Sequence, residues 1–366
     1  MHKRARWAGI VCIPILVVMA MIISIAGSPA NVLMAQTEKG GEFYAGKTPK
    51  YVFMFIGDGM SYAQVSSAEM YLGNKAKPSG YPTPKHLNFS NFPVHGAATT
   101  YDSSSFVPDS ASTATSLASG YKTLSAVINM DESKTKKYRP ITYDLQAMGY
   151  KIGIITSVPI DHATPAAYYA SVPHRGQVDS IAQQLAVSGF DFFGGGGFQG
   201  NASQVEKSIG YAETAGYTFA NTMNDILALD NKSGKVLAIS PVLDGAALNY
   251  ELDRDKEKEL SLADFVKKGI EVLDNRKGFF MMVESGKIDW ANHANDAAAS
   301  IHDTVAFADA IEEALKIYRK HPKDTLIIVT GDHECGGMTI GYAGTKYETF
   351  FEKIKPVTML LAIILI

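Results

Sequence analysis

The sequence predicts an α/β fold, a three-layer sandwich in which a central, mainly parallel β-sheet is flanked by helices. Two observations carry this prediction. Short apolar runs rich in β-branched or aromatic residues are typical of buried strands, and they occur at positions 51–57, 151–157, 278–285 and 325–331. A helical pattern extends from Asp296 to Lys320, where apolar residues recur at spacings of three and four, at Ile301, Val305, Ala308, Ile311 and Leu315.

The composition indicates an ordinary globular chain. Its 366 residues are 46% hydrophobic, so the chain is long enough to bury a large core. The formal net charge of -3 lacks the basic excess of nucleic-acid-binding proteins, and we expect no nucleic-acid partner. Because no Pro/Ser-rich linker or internal repeat divides it, we expect positions 41–366 to form one α/β domain.

The N-terminus has the features of an export signal. Positive charge in HKRARW precedes an uncharged apolar run from Ala8 to Gly27, and the small residues of GSPA follow. The run is long for a cleaved signal and near the minimum for a membrane span. We therefore expect positions 1–40 to be a signal peptide or an N-terminal membrane anchor plus a short linker. Either alternative places the rest of the chain outside the cytoplasm: periplasmic, extracellular or anchored facing outward.

Acids and histidines follow each predicted strand. Taken singly, each has an ordinary structural explanation. Asp58 could be a turn residue, Asp289 and His293 could be an i,i+4 pair that faces solvent, and Asp332-His333 could cap a loop. Ligands of parallel sheets bind at the carboxyl ends of the strands, and the joint occurrence at that edge favours a ligand site. The residues concerned are Asp58, Asp161, His162, Glu284, Asp289, His293, Asp332 and His333.

These residue types suit metal ions. Histidine nitrogens with carboxylate oxygens suit zinc, while Asp, Glu and Thr oxygens suit magnesium. The chain has two cysteines, Cys12 within the apolar N-terminal run and Cys335. Cys335, in DHECGG, is a less favoured soft ligand, because its neighbours are typical of a tight glycine turn.

One glycine run, GGGGFQG at 194–200, fits the dinucleotide-binding pattern G-x-G-x-x-G. That pattern arises trivially in a run of glycines, and no convincing helix opens directly behind this one with a ribose-binding acid in place. We interpret the run as a tight strand-to-loop passage.

The hydroxyl-rich stretch VPDSASTATSLASGYKT, at 107–123, holds a candidate nucleophile. Its small residues predict a close-packed helix after Asp109-Ser110, and a helix N-terminus offers amide groups and a positive dipole to an anion. Ser110 would then face a phosphate; the alternative is that Asp109 or Ser110 is only an N-cap. No G-x-S-x-G elbow surrounds Ser110, which favours activation by a metal. Arg175 has the planar guanidinium that grips two phosphate oxygens.

The motifs IGDGM, DSASTAT, DHATPAAYYASVPHR, VESGKIDWANHA and VTGDHE together resemble the alkaline phosphatase family, in chain order from Tyr51 to Gly341. The resemblance implies an exported hydrolase of small phosphate monoesters that releases inorganic phosphate and uses two zinc ions and one magnesium. It implies that Ser110 forms a phosphoserine intermediate and that Arg175 clamps the phosphate. Homodimers are usual in the family.

The resemblance also implies the ligand sets. Asp58, Asp332 and His333 match the zinc site that activates the serine, and Asp289 and His293 match two ligands of the zinc that serves the leaving oxygen and then supplies hydroxide. The magnesium site is matched by Asp58, Thr164 and Glu284. His162 stands near the magnesium where some members have an acid, and Trp290 stands where others have Lys or His, so both are expected to tune metal preference and pH optimum.

One departure concerns the C-terminus. The family's third histidine ligand of the leaving-group zinc lies on a strand well beyond the Asp-His pair, and no histidine follows His333 here. His302 is a poor substitute, because nine residues along a helix place it on the opposite face from His293. Because the tail PVTMLLAIILI is apolar and does not match the family pattern, we expect a catalytic domain that is incomplete at its C-terminus and lacks the closing strands of the sheet.

Two other functions stay open. A non-catalytic exported phosphate- or metal-binding protein would use the same acids, histidines and arginine without turnover. The second is a phosphodiesterase or sulfatase of the wider superfamily. The Ser110 nucleophile argues against the phosphodiesterases that use Thr, and the lack of a C-x-P-x-R setting argues against a sulfatase.

Overall fold

The structure is a computed structural model, and it describes residues 48–77, 83–341, 344, 346 and 349–354. Seven strands in these residues form one sheet in the order β4-β5-β3-β2-β6-β1-β7, and every neighbouring pair is parallel. The strands are β1 (Tyr51–Gly57), β2 (Lys151–Thr156), β3 (Phe192–Gly195), β4 (Tyr217–Ala220), β5 (Lys235–Ile239), β6 (Phe279–Ser285) and β7 (Thr325–Gly331). The four strands predicted from the sequence are β1, β2, β6 and β7, which lie side by side.

Helices cover both faces of this sheet. They are α1 (Tyr62–Ala76), α2 (Ser110–Ser119), α3 (Ile141–Ala147), α4 (Ala163–Ala166), α5 (Val178–Ser188), α6 (Ala202–Thr214), α7 (Met223–Ala228), α8 (Leu262–Leu273), α9 (Lys287–His293) and α10 (Ala297–Lys320), with a 3-10 turn at Phe351–Lys353. The predicted helix at 296–320 is α10, and Asp296 is its N-cap, since its carboxylate accepts hydrogen bonds from the amides of Ala298 and Ala299. The predicted three-layer α/β sandwich is confirmed.

Alternating residues of each strand divide the core into two apolar layers. In β1, Phe53 and Phe55 pack into the layer formed with α8 and α10, whereas Met54 and Ile56 pack into the layer formed with α2, α4 and α5. Side chains of a strand alternate between its two faces, so a parallel sheet covered on both sides needs apolar residues at every position. The unbroken apolar runs of the sequence have this cause.

Strands β3, β4 and β5 were not predicted, because four or five residues carry little periodic signal. The glycine run holds β3 close to β2: a Cβ on Gly195, whose φ is +118°, would lie 1.9 Å from the carbonyl oxygen of Thr156. Only glycine fits so close an approach, and the run passes from strand β3 into a tight loop as interpreted. The expectation that no helix opens directly behind the run is wrong, because α6 begins at Ala202 with Asn201 as its N-cap; four glycines in succession carry too little local pattern to reveal it.

Within the part of the chain that the structure describes, no helix has both the length and the apolar character that a membrane crossing needs. The expected signal or anchor at positions 1–40, Cys12, and the apolar tail from Pro356 lie outside the described residues.

Candidate active site

Ser110 is the first residue of α2, and Asp109 is the N-cap of that helix. Asp109 Oδ1 accepts the amide of Ser112 at 3.1 Å, and it also accepts the amide of Ala126 at 3.0 Å. The side chain of Ser110 is therefore not needed as a cap. It lies 4% exposed, with Oγ 3.3 Å from Asp58 Oδ1 and 3.4 Å from His333 Nε2.

The register of β1 and β7 explains why Asp58 and Asp332 meet. Gly57 pairs with Gly331, so the next residue of each strand emerges at the same point of the sheet edge. His333 follows, with Nε2 3.2 Å from Asp58 Oδ1 and 3.5 Å from Asp332 Oδ2. Its Nδ1 lies 3.0 Å from the carbonyl oxygen of Glu334, which can only accept, so Nδ1 carries a proton, and Nε2 faces the two carboxylates.

The electrostatics of this cluster favour a cation. Burial and then the negative charge of Asp332 raise the pKa of Asp58 well above its ordinary value. Burial alone would lower the pKa of His333, but the carboxylates of Asp332 and Asp58 outweigh it and raise that pKa to about 11. Two buried carboxylates thus draw in a positive charge, which is the role a divalent metal fills in such a set.

A second group lies on the other side of Asp58, around Glu284. Glu284 is the sixth residue of β6 and pairs with Ile56 on one side and Thr156 on the other. The Thr156 hydroxyl donates to Glu284 Oε2. Among the described residues, Glu284 Oε1 and the hydroxyl of Thr164 have no hydrogen-bond partner although both are buried. Burial, with a further contribution from the charge of Asp332, raises the pKa of Glu284 to about 7.

His162 and Arg175 line the same space from α4 and the loop before α5. One ligand atom each from Asp58, His162 and Glu284 lies within 4.8 Å of the others. Arg175 Nη2 lies 2.8 Å from His162 Nε2, and Arg175 Nη1 donates to Asp109 Oδ2 at 2.9 Å. Because a guanidinium only donates, Nε2 is the acceptor and Nδ1 carries the proton. Burial and the charge of Arg175 lower the pKa of His162 to about 3, so the ring is neutral.

Asp289 and His293 form the third group, on α9. Asp289 Oδ2 lies 3.4 Å from His293 Nε2, and Asp289 is 5% exposed while the His293 side chain is 72% exposed. The alternative that Asp289 and His293 both face solvent is therefore wrong for Asp289, which is buried. Cys335 joins it: one ligand atom from each of the three lies within 4.8 Å of the others. His302 is elsewhere, with its ring nitrogens against the Tyr71 hydroxyl and the Ala298 carbonyl, so the expectation that it is no substitute is confirmed.

Sequence reasoning missed the groups that hold the site in place. The Thr113 hydroxyl donates to Asp332 Oδ2 at 2.9 Å, and the Gly59 amide donates to Asp332 Oδ1 at 3.1 Å. Thr113 lies three residues after Ser110 and hence on the same side of α2, which is the signal that could have identified it. Trp290, which stands where other members of the family have Lys or His, packs edge-on against His162 with ring centroids 6.2 Å apart.

Comparisons with known proteins show which family the chain resembles. The family model described as alkaline phosphatase matches residues 49–191 and 199–359. Alkaline phosphatase 4 of Bacillus subtilis is 33% identical over 344 residues, covering 91% of this chain and 72% of the relative, and alkaline phosphatase 4 of Drosophila melanogaster is 31% identical, covering 81% and 58%.

Solved structures give the same result. A cold-active alkaline phosphatase from a psychrophilic Shewanella species superposes with a TM-score of 0.72 at 30% identity, covering 80% of this chain and 70% of that one. A mutant of TAB5 alkaline phosphatase with Mg bound in its M3 site superposes with a TM-score of 0.67 at 30% identity, with 80% of both chains covered. Several relatives, the Drosophila one among them, are longer, and the chain spans less than two thirds of their length. The chain belongs to the alkaline phosphatase family.

Proposed function

We propose that the chain hydrolyses small phosphate monoesters through a phosphoserine intermediate on Ser110. The observation that supports this best is the placement of Ser110 Oγ, buried at the start of α2 and 3.3 Å from Asp58, with Arg175 anchored by the neighbouring Asp109. A buried hydroxyl beside carboxylates, a helix N-terminus and a guanidinium is arranged for phosphoryl transfer. Relatives named alkaline phosphatase support the same class of reaction.

The residues fit the metals that the family implies. The test is whether the candidate ligands include buried oxygens without a hydrogen-bond partner in the described structure; Thr164 Oγ1, Glu284 Oε1 and Asp289 Oδ1 are three such atoms, and each is costly unless a ligand satisfies it. We propose that zinc is held by Asp58, Asp332 and His333, a second zinc by Asp289 and His293, and magnesium by Asp58, Thr164 and Glu284. Bound there, the metals would supply positive charge for the entering and leaving oxygens and lower the pKa of a coordinated hydroxyl.

The chain's own residues carry the rest of the reaction. Ser110 Oγ loses its proton to solvent and attacks phosphorus, and the ester P–O bond breaks to release the alcohol, whose oxygen takes a proton from solvent. The amides at the start of α2 and the Arg175 guanidinium hold the phosphoryl oxygens. Water then loses a proton and attacks phosphorus, the Ser110 O–P bond breaks, Ser110 Oγ regains a proton, and inorganic phosphate leaves. Asp109 and His162 fix the direction of Arg175 through the two contacts described above.

His162 was predicted as a group near the magnesium, and we keep it there. Its Nε2 accepts from Arg175, and its Nδ1 is buried without a hydrogen-bond partner among the described residues. Coordination through Nε2 would displace Arg175, and coordination through Nδ1 would move the ring proton to Nε2, so either requires that this hydrogen bond break. We therefore propose that His162 tunes the site chiefly by orienting Arg175.

The remaining expectations concern the cell. We propose that positions 1–40 direct export or anchor the chain facing outward, on the basis of their composition alone; a Bombyx mori relative is named a membrane-bound alkaline phosphatase. A homodimer stays a prediction.

Hydrolysis of p-nitrophenyl phosphate tests the proposed function. The zinc- and magnesium-loaded protein should release p-nitrophenol, and Ser110→Ala should lose that activity by several orders of magnitude while Ser116→Ala keeps it. Ser116 is the matched control because its hydroxyl is on the same helix and donates only to the carbonyl oxygen of Ser112. Metal and phosphate binding without turnover would instead favour the non-catalytic alternative, and faster hydrolysis of bis-p-nitrophenyl phosphate would favour a phosphodiesterase.

A further inference from the structure

The Asp289 group contains a donor atom that nothing in the described structure satisfies. Asp289 is 95% shielded, yet its Oδ1 has no hydrogen-bond partner, while Oδ2 lies against His293. A buried, unpaired carboxylate oxygen is destabilising by itself. Among the described residues, Asp289 and His293 bring one oxygen and one nitrogen to this group.

Cys335 lies beside this pair. A Cβ placed on Gly59 would be 2.6 Å from Asp289 Oδ1 and 2.8 Å from Cys335 Cβ, so both groups converge on one point above Gly59. The Cys335 thiol is buried and faces the backbone carbonyl of Asp289 at 3.8 Å. The carboxylate, the imidazole and the sulfur supply ligand atoms that lie within 4.8 Å of one another.

The loop after β7 is fixed against α9, which keeps the sulfur in this position. Gly336 has φ +74°, and a Cβ there would lie 2.6 Å from the Asn292 carbonyl, so the turn approaches α9 as closely as glycine allows. The Cys335 carbonyl accepts from Gln64 Nε2 at 3.4 Å, and Asn292 Nδ2 donates to the Gly59 carbonyl at 3.1 Å. The glycines of DHECGG thus form the tight turn that the sequence indicated, and that turn presents the thiol to Asp289.

We propose that the Cys335 thiolate is a protein ligand of the cation held by Asp289 and His293. The inference rests on the proposed function, because it concerns the second zinc site of that function. Donor atoms of one tetrahedral zinc lie roughly 3.5 Å apart, given bonds of about 2.0 to 2.3 Å. The 3.4 Å between Asp289 Oδ2 and His293 Nε2 is close to this spacing, and the sulfur, within 4.8 Å of the other ligand atoms, would approach the cation by rotation of the Cys335 side chain.

This donor set has chemical consequences. The thiol releases its proton when the cation binds, the S–H bond is replaced by a metal–sulfur bond, and the proton goes to solvent. One sulfur, one nitrogen and one oxygen are a donor set of the kind that zinc binds in proteins. The soft sulfur selects Zn²⁺, Cd²⁺ or Co²⁺ over Mg²⁺ at this site.

Cobalt substitution tests the proposal on the full chain with a readout independent of turnover. Co²⁺-loaded protein should show a thiolate-to-cobalt charge-transfer band in the near ultraviolet. Cys12→Ala, the only other cysteine position, should keep the band, whereas Cys335→Ala and His293→Ala should lose it. A band that persists in Cys335→Ala, or the absence of a band from wild-type protein whose cobalt content matches the three sites, would overturn the proposal.

A second measurement covers the case in which Cys335→Ala does not fold. In Cys12→Ala, the alkylation rate of the one remaining thiol by iodoacetamide should fall severalfold when Zn²⁺ is added, and it should not respond to Zn²⁺ once His293 is also replaced by Ala. Equal alkylation rates with and without Zn²⁺ would contradict sulfur ligation. The two proposals can fail separately. If wild-type protein turns over substrate and Ser110→Ala abolishes that activity, but no cobalt–sulfur band appears, the proposed function is supported and only the ligand role of Cys335 is rejected.

Discussion

Replacement of Arg175 by alanine tests the phosphate clamp most quantitatively. The guanidinium is one-quarter exposed, and Nη1 and Nη2 each use one hydrogen on Asp109 and His162. One further hydrogen on each nitrogen is then free to bind a phosphoryl oxygen. A hydrogen bond to a charged group is worth about 1.5 to 3 kcal/mol, so the loss of two should cost roughly 3 kcal/mol or more, about 100-fold or more in kcat/KM.

The division of that loss between the two kinetic constants is also predictable. The clamp contacts oxygens that are present in the substrate, the intermediate and the product, so KM should rise and inorganic phosphate should inhibit more weakly. The assay is kcat and KM for p-nitrophenyl phosphate together with the inhibition constant of inorganic phosphate. Arg175→Lys should fall between, because lysine keeps the charge and loses the two-pronged geometry.

Arg139→Ala is the matched control for that series, since Arg139 is an exposed arginine paired with Asp144 on the surface. It should leave all three constants unchanged. A value of kcat/KM for Arg175→Ala within threefold of wild type, with unchanged phosphate inhibition, would refute the clamp.

Three further predictions concern stability and metal binding. Gly59→Ala should lower the unfolding free energy by about 1 to 3 kcal/mol in urea denaturation, because φ is +63° and the new Cβ would lie 2.6 Å from Asp289 Oδ1; an unchanged midpoint would contradict this. Burial raises the pKa of Asp303 to about 8, so the folded state keeps a proton that the unfolded state loses near pH 4. The free energy of unfolding should therefore be unaffected by this group below pH 4 and should fall as the pH rises from 4 to 8, by at most about 1.4 kcal/mol per pH unit. Asp303→Asn should remove that fall. Curves of unfolding free energy against pH that run parallel for the two proteins would contradict this prediction. Glu284→Gln should weaken magnesium binding at least tenfold in calorimetry, because a carboxylate on a hard cation is replaced by a neutral amide, and wild-type affinity would argue against a magnesium ligand there.

The sequence predicted those parts of the molecule that depend on local pattern. The apolar runs of β1, β2, β6 and β7 and the three-and-four spacing of α10 each report their own burial, so their positions could be inferred within one residue. Strands β3 to β5 are shorter, and their pairing depends on neighbours distant in sequence. The glycine run illustrates this: Gly195 is explained by the Thr156 carbonyl, which no local pattern reveals.

The candidate site divides in the same way. The rule that ligands bind at the carboxyl ends of parallel strands was enough to group Asp58, Glu284 and Asp332. It could not give the hydrogen bond between Arg175 and His162, which sets the imidazole tautomer, or the approach of Cys335 to Asp289, because both depend on how loops fold back across the sheet edge. Contacts between loops leave no helical or strand periodicity in the sequence, so they could not be predicted from it.

The central claim is that phosphate passes through a covalent bond to Ser110, and acid-quenched mass spectrometry tests it most directly. Metal-loaded protein is incubated with p-nitrophenyl phosphate or inorganic phosphate at mildly acidic pH, quenched, digested and sequenced by fragmentation. The account predicts one phosphorylated peptide with the phosphate on Ser110, absent from Ser110→Ala and present in Ser116→Ala. Turnover without any phosphorylated Ser110, or phosphate on another residue at the same level in Ser110→Ala, would contradict it.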